Sequence, residues 1–270
     1  MKLIFVCSQT ILVTGIAIAV SGWSNSALAL QPQAENFQTF TDWCLNRGNL
    51  TADTKHTVQV LLQKAETFDC QQANLKLTSL SELNLSANQI RDINPLQSLS
   101  SLTKLNLSAN QISDIKPLQS LSKLTYLYLS DNQIRDINPL QSLSKLQTLY
   151  LGKNQISDIK PLQSLSQLRL LALYRNQISD IKPLQSFFQL KGLSLSHNQI
   201  SDITPLQSLS QLTYLYLSNN QISDINPLET LSQLRGVHLY GNPVPNNICP
   251  LLNSICHWEK SYTPLTFFNF

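Results

Sequence analysis

Eight asparagines, Asn88, Asn110, Asn132, Asn154, Asn176, Asn198, Asn220 and Asn242, stand 22 residues apart. Around the first seven the sequence reads Asn-Gln-Ile-(Ser/Arg)-Asp-Ile-x-Pro-Leu. Leu83, Leu85, Leu105, Leu107, Leu127 and Leu129 keep the same phase, and no insertion breaks it. Each 22-residue unit must therefore repeat one local structure and bury its apolar side against its neighbours.

The residues within a unit say what that structure is. In Leu83-Asn84-Leu85 the leucines alternate with a polar residue, the period of a half-buried strand. An asparagine amide has both donors and an acceptor, so a stacked Asn column is expected to bridge backbone groups at the bend after each strand. Ile90 and Ile93 point inward, and Pro95 fixes φ for a turn that cannot continue a strand. Leu96, Leu99 and Leu102 return three apart, which suits a 3₁₀-like turn. Twenty-two residues leave no room for a long crossover helix, so the strands are expected to stack in parallel about 4.8 Å apart.

The unit Ile-x-Pro-Leu-x-x-Leu-x-x-Leu-x-x-Leu-x-Leu-x-x-Asn-x-Ile-x-Asp resembles the 22-residue subclass of leucine-rich repeats. That subclass includes the internalin adhesins of pathogenic bacteria and a nuclear phosphatase regulator. The resemblance covers eight units over residues 75–245. It implies an α/β solenoid: a curved right-handed coil with a parallel β-sheet on its concave face and short 3₁₀ turns on its convex face. It also implies a non-catalytic interaction module without a cofactor. Internalins continue into an immunoglobulin-like domain; residues 246–270 are not read as one, so a role in host-cell invasion is not carried over.

The flanking segments read differently. Met1-Lys2, the apolar run Leu3–Val20 and the Ala27-Leu28-Ala29 site form an export signal over residues 1–29. The alternative is a retained membrane anchor. With the signal cleaved, no membrane span is expected, and the protein is periplasmic, cell-surface or secreted. Cys7 leaves with the signal, and Cys44, Cys70, Cys249 and Cys256 remain, an even number for an oxidising compartment. Their positions favour Cys44–Cys70 and Cys249–Cys256; a zinc site is the weaker reading, since the pairs lie at opposite ends of the chain. Residues 30–74 are read as a helical N-terminal cap. Val58, Leu61, Leu62 and Ala65 are spaced for a helix over Thr51–Lys64, and Phe37, Phe40 and Cys44 are also at helical spacing. Residues 246–270 are a C-terminal cap with an aromatic tail, Tyr262–Phe270, that packs back or serves as a sticky end.

Function is expected on the concave face, where side chains between and flanking the inward leucines are presented. Seven of the eight tyrosines occupy those positions. Tyr126, Tyr128, Tyr150 and Tyr174, with Arg175, form one candidate ligand-binding patch. Tyr214, Tyr216, His238 and Tyr240 form a second, beyond a gap of small residues at Gly192, Ser194 and Ser196. Rigid amphipathic tyrosines make good binding anchors; the plain alternative is β-propensity and ring stacking along a ladder. The partner is read as a protein, with a glycan bound by the same rings as the alternative. Net charge is only +3, which argues against nucleic acid. A monomer is expected. Asp92, Asp114, Asp136, Asp158, Asp180, Asp202 and Asp224 raise a calcium-stabilised spacer as a third reading, but each precedes an Ile-x-Pro turn where it can accept backbone N–H bonds. No metal site is assigned. The four histidines are scattered, and Cys44 with His56 is better explained by a cysteine pair than by catalysis, so no enzyme is expected.

Overall fold

The computed structural model describes residues 37–252 and 254–259. The export signal, its cleavage site at Ala29 and the Tyr262–Phe270 tail lie outside the described residues. Among the described residues three α-helices come first: α1 (Phe40–Leu45), α2 (Ala52–Lys64) and α3 (Cys70–Ser79). The Thr51 hydroxyl accepts from the Thr54 N–H and caps α2, whose buried face holds Val58, Leu61 and Leu62. The α3 helix has no counterpart in the sequence reading. Its cap is Asp69, which accepts from the Gln72 N–H at 2.7 Å, and it runs on to Ser79, past the 74/75 boundary read from the sequence.

Nine strands follow: β1 (Glu82–Asn84), β2 (Lys104–Asn106), β3 (Tyr126–Tyr128), β4 (Thr148–Tyr150), β5 (Leu170–Ala172), β6 (Gly192–Ser194), β7 (Tyr214–Tyr216), β8 (Gly236–His238) and β9 (Cys256–His257). They form one open parallel sheet in chain order, pairing Leu83 with Leu105, Leu105 with Leu127, and so on. The central residue of each repeat strand, leucine in β1–β7 and Val237 in β8, is buried, and its two neighbours lie on the opposite face of the strand. Five-residue 3₁₀ turns such as Lys116–Ser120 return the chain along the other side. Leu118 N–H donates to the Ile115 carbonyl at 3.0 Å and Leu121 N–H to that of Leu118 at 3.0 Å, the i→i+3 spacing of the returning leucines. The core is thus a continuous column of Leu and Ile running through every coil.

Two polar columns hold the bends. The Asn110 carbonyl oxygen accepts from Ile90 N–H at 3.0 Å, while its amide donates to the carbonyls of Leu85 (3.0 Å) and Leu107 (2.8 Å). Asn132, Asn154, Asn176, Asn198, Asn220 and Asn242 repeat this pattern coil by coil. The aspartates work locally: Asp114 accepts from Lys116 N–H at 2.8 Å, and Asp202 from Thr204 N–H at 2.8 Å. At the open end, α2 takes the place of a preceding coil. Its Thr57 hydroxyl donates to the Asp92 carbonyl, its Thr54 hydroxyl to the Asp92 carboxylate, and His56 Nε2 meets the Asn88 carbonyl.

Candidate binding face

The strand geometry sorts the tyrosines. Tyr126 and Tyr128 flank buried Leu127, and Tyr214 and Tyr216 flank buried Leu215, so all four face away from the core. Tyr174, Arg175 and Tyr240 follow their strands in the bend, where Arg175 adopts φ 53°. Tyr126 and Tyr240 are exposed; Tyr128, Tyr150, Tyr174, Tyr214, Tyr216 and His238 are half-buried.

Parallel in-register pairing brings like positions together. Tyr128 and Tyr150 are register partners, and their rings meet edge to face, 5.0 Å apart at 89°. In the second patch Tyr216 stacks on His238 at 4.7 Å and 9°. His238 stacks in turn on His257 at 4.6 Å and 23°. Tyr214 approaches the same cluster: its Cδ1 and His257 Nε2 would each lie 3.7 Å from a methyl built on Gly236. Tyr174 lies across Gly152, where any side chain would overlap its ring. Gly192, Ser194 and Ser196 separate the two patches along the sheet.

His257 and Gly152 were not among the site residues read from the sequence. His257 sits on β9, which closes after a return of 19 residues instead of 22 and so escapes the period. Cys256 fills the inward position there, and it lies at disulfide distance from Cys249 (Cα–Cα 5.9 Å). Cys44 and Cys70 are likewise paired, joining α1 to α3 (Cα–Cα 5.6 Å).

Burial pushes the phenols of Tyr128, Tyr150 and Tyr216 above the ordinary tyrosine range, with Tyr128 adding to the effect on Tyr150. Burial, then the charge of His257, holds His238 below the usual histidine range. The unfolded chain therefore binds more protons than the folded one as pH falls through about 6.5. Stability should decline from pH 7.5 to 5.5, and His238→Asn should flatten that slope in thermal melts. An unchanged slope in the variant would remove His238 as its source. Among the described residues, no group of three or more His, Cys, Asp or Glu is placed to hold a metal ion. No helix among them is long and apolar enough to cross a membrane.

An open parallel sheet made of one coil repeated in register defines a solenoid. The family model for leucine-rich repeats in two copies matches residues 78–120, 100–142, 144–186, 189–230 and 210–253. The chain belongs to the leucine-rich-repeat family and is internalin-like within it. It is 34% identical to an internalin (inlF) of Listeria monocytogenes, with a TM-score of 0.67 over 70% of this chain and 56% of that one. It is also 34% identical to an internalin C2 of the same species, with a TM-score of 0.69 over 74% of this chain and 91% of that one. A leucine-rich-repeat protein of Leptospira interrogans matches at 27% identity and a TM-score of 0.55, over 65% and 52% of the two chains. The chain thus spans little more than half of the first of these proteins and most of the second. No curated protein matches it. Leucine-rich-repeat proteins are in general protein-interaction modules, and this family is typically non-catalytic.

Proposed function

We propose that the protein is exported and binds a partner protein on its concave face, through Tyr126, Tyr128, Tyr150, Tyr174 and Arg175 in one patch and Tyr214, Tyr216, His238 and Tyr240 in the other. Ring orientation carries the choice of partner. A sugar binds an aromatic ring by lying flat on its face. Here the faces of Tyr216, His238 and His257 are turned onto one another, and the Tyr128–Tyr150 pair is edge to face. Ring faces used up in these contacts are less open to a flat sugar, which favours interdigitation with protein side chains. The two cysteine pairs at disulfide distance support an oxidising compartment.

A photo-crosslinking residue at Tyr126 should capture a protein from the surrounding cell envelope or medium, whereas one at Gln163 on the convex side should not. Tyr128→Ala with Tyr150→Ala should remove the capture while changing the melting temperature by only a few degrees, because both rings are partly solvated. Capture of polysaccharide in place of protein, or equal capture from both faces, would overturn the proposal.

A further inference from the structure

The two halves of the outer sheet face differ in how their charges are balanced. Toward the N-terminus the two cations in strand and bend positions each have a carboxylate one coil away: Lys104 pairs with Glu82 and Lys153 with Asp131, both at 3.4 Å. From β5 onward this matching stops. Arg169, Lys191 and Arg235, which lead into β5, β6 and β8, are exposed, as is Arg175 in the bend after β5. None of these four forms an ion pair among the described residues. No Asp or Glu occupies an outward or bend position of the strand segments from Thr148 to Gly241. The acidic residues of these coils, such as Asp180, Asp202 and Asp224, lie before the 3₁₀ turns, where their carboxylates accept backbone N–H bonds. Strands β5–β8 therefore carry aromatic rings together with four exposed cations that have no ion pair among the described residues, Arg169, Lys191 and Arg235 at the strand entries and Arg175 at one exit.

We propose that this half of the face docks an acidic segment of the partner protein, with Arg169, Arg175, Lys191 and Arg235 pairing its carboxylates while Tyr174 and Tyr214 contact its apolar side chains. The proposal rests on the protein-binding reading above and adds the chemistry of the partner. Unpaired cations beside partly dry rings gain most from an opposite charge brought by the ligand, and they steer its approach. Guanidinium groups, three of the four, match carboxylates with two parallel hydrogen bonds.

The test uses a random glutamate–tyrosine copolypeptide as the acidic probe, with polylysine, polygalacturonate and single-stranded DNA as the other arms. Binding to the full chain is measured at low and at physiological salt. The acidic copolypeptide should bind, and Arg175→Gln should weaken it about tenfold, as expected for loss of one hydrogen-bonded charge pair. The combined Arg169→Gln, Lys191→Gln and Arg235→Gln variant should flatten the salt dependence. Arg175→Lys should restore part of the loss, and Lys116→Gln on the convex side should change nothing. Melting curves of each variant establish that the fold is intact. Binding that ignores Arg175→Gln but falls with Tyr174→Ala would overturn the acidic partner and leave the aromatic face standing. Binding that ignores both would sink the two readings together. Equal binding of polygalacturonate or DNA with the same arginine dependence would assign the face to polyanions and overturn an acidic protein as the occupant.

Discussion

Asn176→Ala should destabilise the protein by roughly 3–6 kcal/mol, because truncation strands three buried backbone groups at up to about 1–3 kcal/mol each. The Asn176 side chain accepts from Ile156 N–H at 3.0 Å and donates to the carbonyls of Leu151 and Leu173, both at 3.0 Å. It is 9% exposed, so water cannot readily replace those partners. The damage falls on the interface between two coils, since the donor and one acceptor belong to the preceding coil and the other acceptor to its own. Asn242→Ala removes the same pattern at the last bend, where the asparagine is half-buried and the bond from Ile222 N–H is 3.2 Å. It should cost about half as much, since water can reach the groups it leaves behind. Asn176→Asp is the sharper control: one oxygen can still accept, but the other is driven against two carbonyl oxygens. At neutral pH it should be at least as damaging as alanine. Urea unfolding of the three variants checks this order. Equal small losses for Asn176→Ala and Asn242→Ala would mean that the ladder follows the fold without supporting it.

The ladder also marks how far the sequence could be read. Wherever a residue acts through the repeat itself, its role follows from period and chemistry. Leu127 must be buried because it alternates with polar neighbours, Asn132 must bridge coils because only an amide serves a donor and two acceptors, and Asp114 must turn back onto Lys116 N–H because it precedes a proline turn. The tyrosine positions were legible in the same way, since parallel register carries one position onto the next. Ring orientation was not. Whether Tyr128 meets Tyr150 by face or by edge depends on side-chain torsions that periodicity does not encode. Nor was the pairing of Tyr174 with Gly152 legible, because that glycine reads as one more small residue in a serine column. The largest gap is β9. Its return is shortened and tied by Cys249–Cys256, so the 22-residue frame fails just before the strand that brings His257 onto His238. The unpaired cations of β5–β8 emerge only once the ion pairs of the earlier coils are known, because the sequence total of +3 averages over both halves.

Replacing both Cys44 and Cys70 with serine should lower stability by about 3.5 kcal/mol, the chain-entropy value for a closure of this length. The two cysteines are 26 residues apart. The loss should be local in its onset, because α1 has only six residues and cannot persist alone. Besides the cysteine link, it is held to α3 by the Asn74 side chain, which accepts from Phe40 N–H at 3.1 Å, and by a weak bond from the Thr41 hydroxyl to the Cys70 carbonyl. In a Trp258→Phe background Trp43 reports on this contact, being 2% exposed and edge-on to Phe37 at 4.8 Å. Its emission should shift to the red at a lower urea concentration than the far-ultraviolet signal of the repeats is lost. Replacing Cys249 and Cys256 supplies the contrast: they are 7 residues apart, so the same model gives about 2.4 kcal/mol, and Trp43 lies at the other end of the solenoid. A solenoid whose coils touch only their neighbours must fray from whichever end loses its tie, so each pair of substitutions should open its own end first. If removing either pair leaves the transition single and the Trp43 shift coincident with loss of the sheet, the ends are not independent caps, and the repeat array unfolds as one cooperative unit.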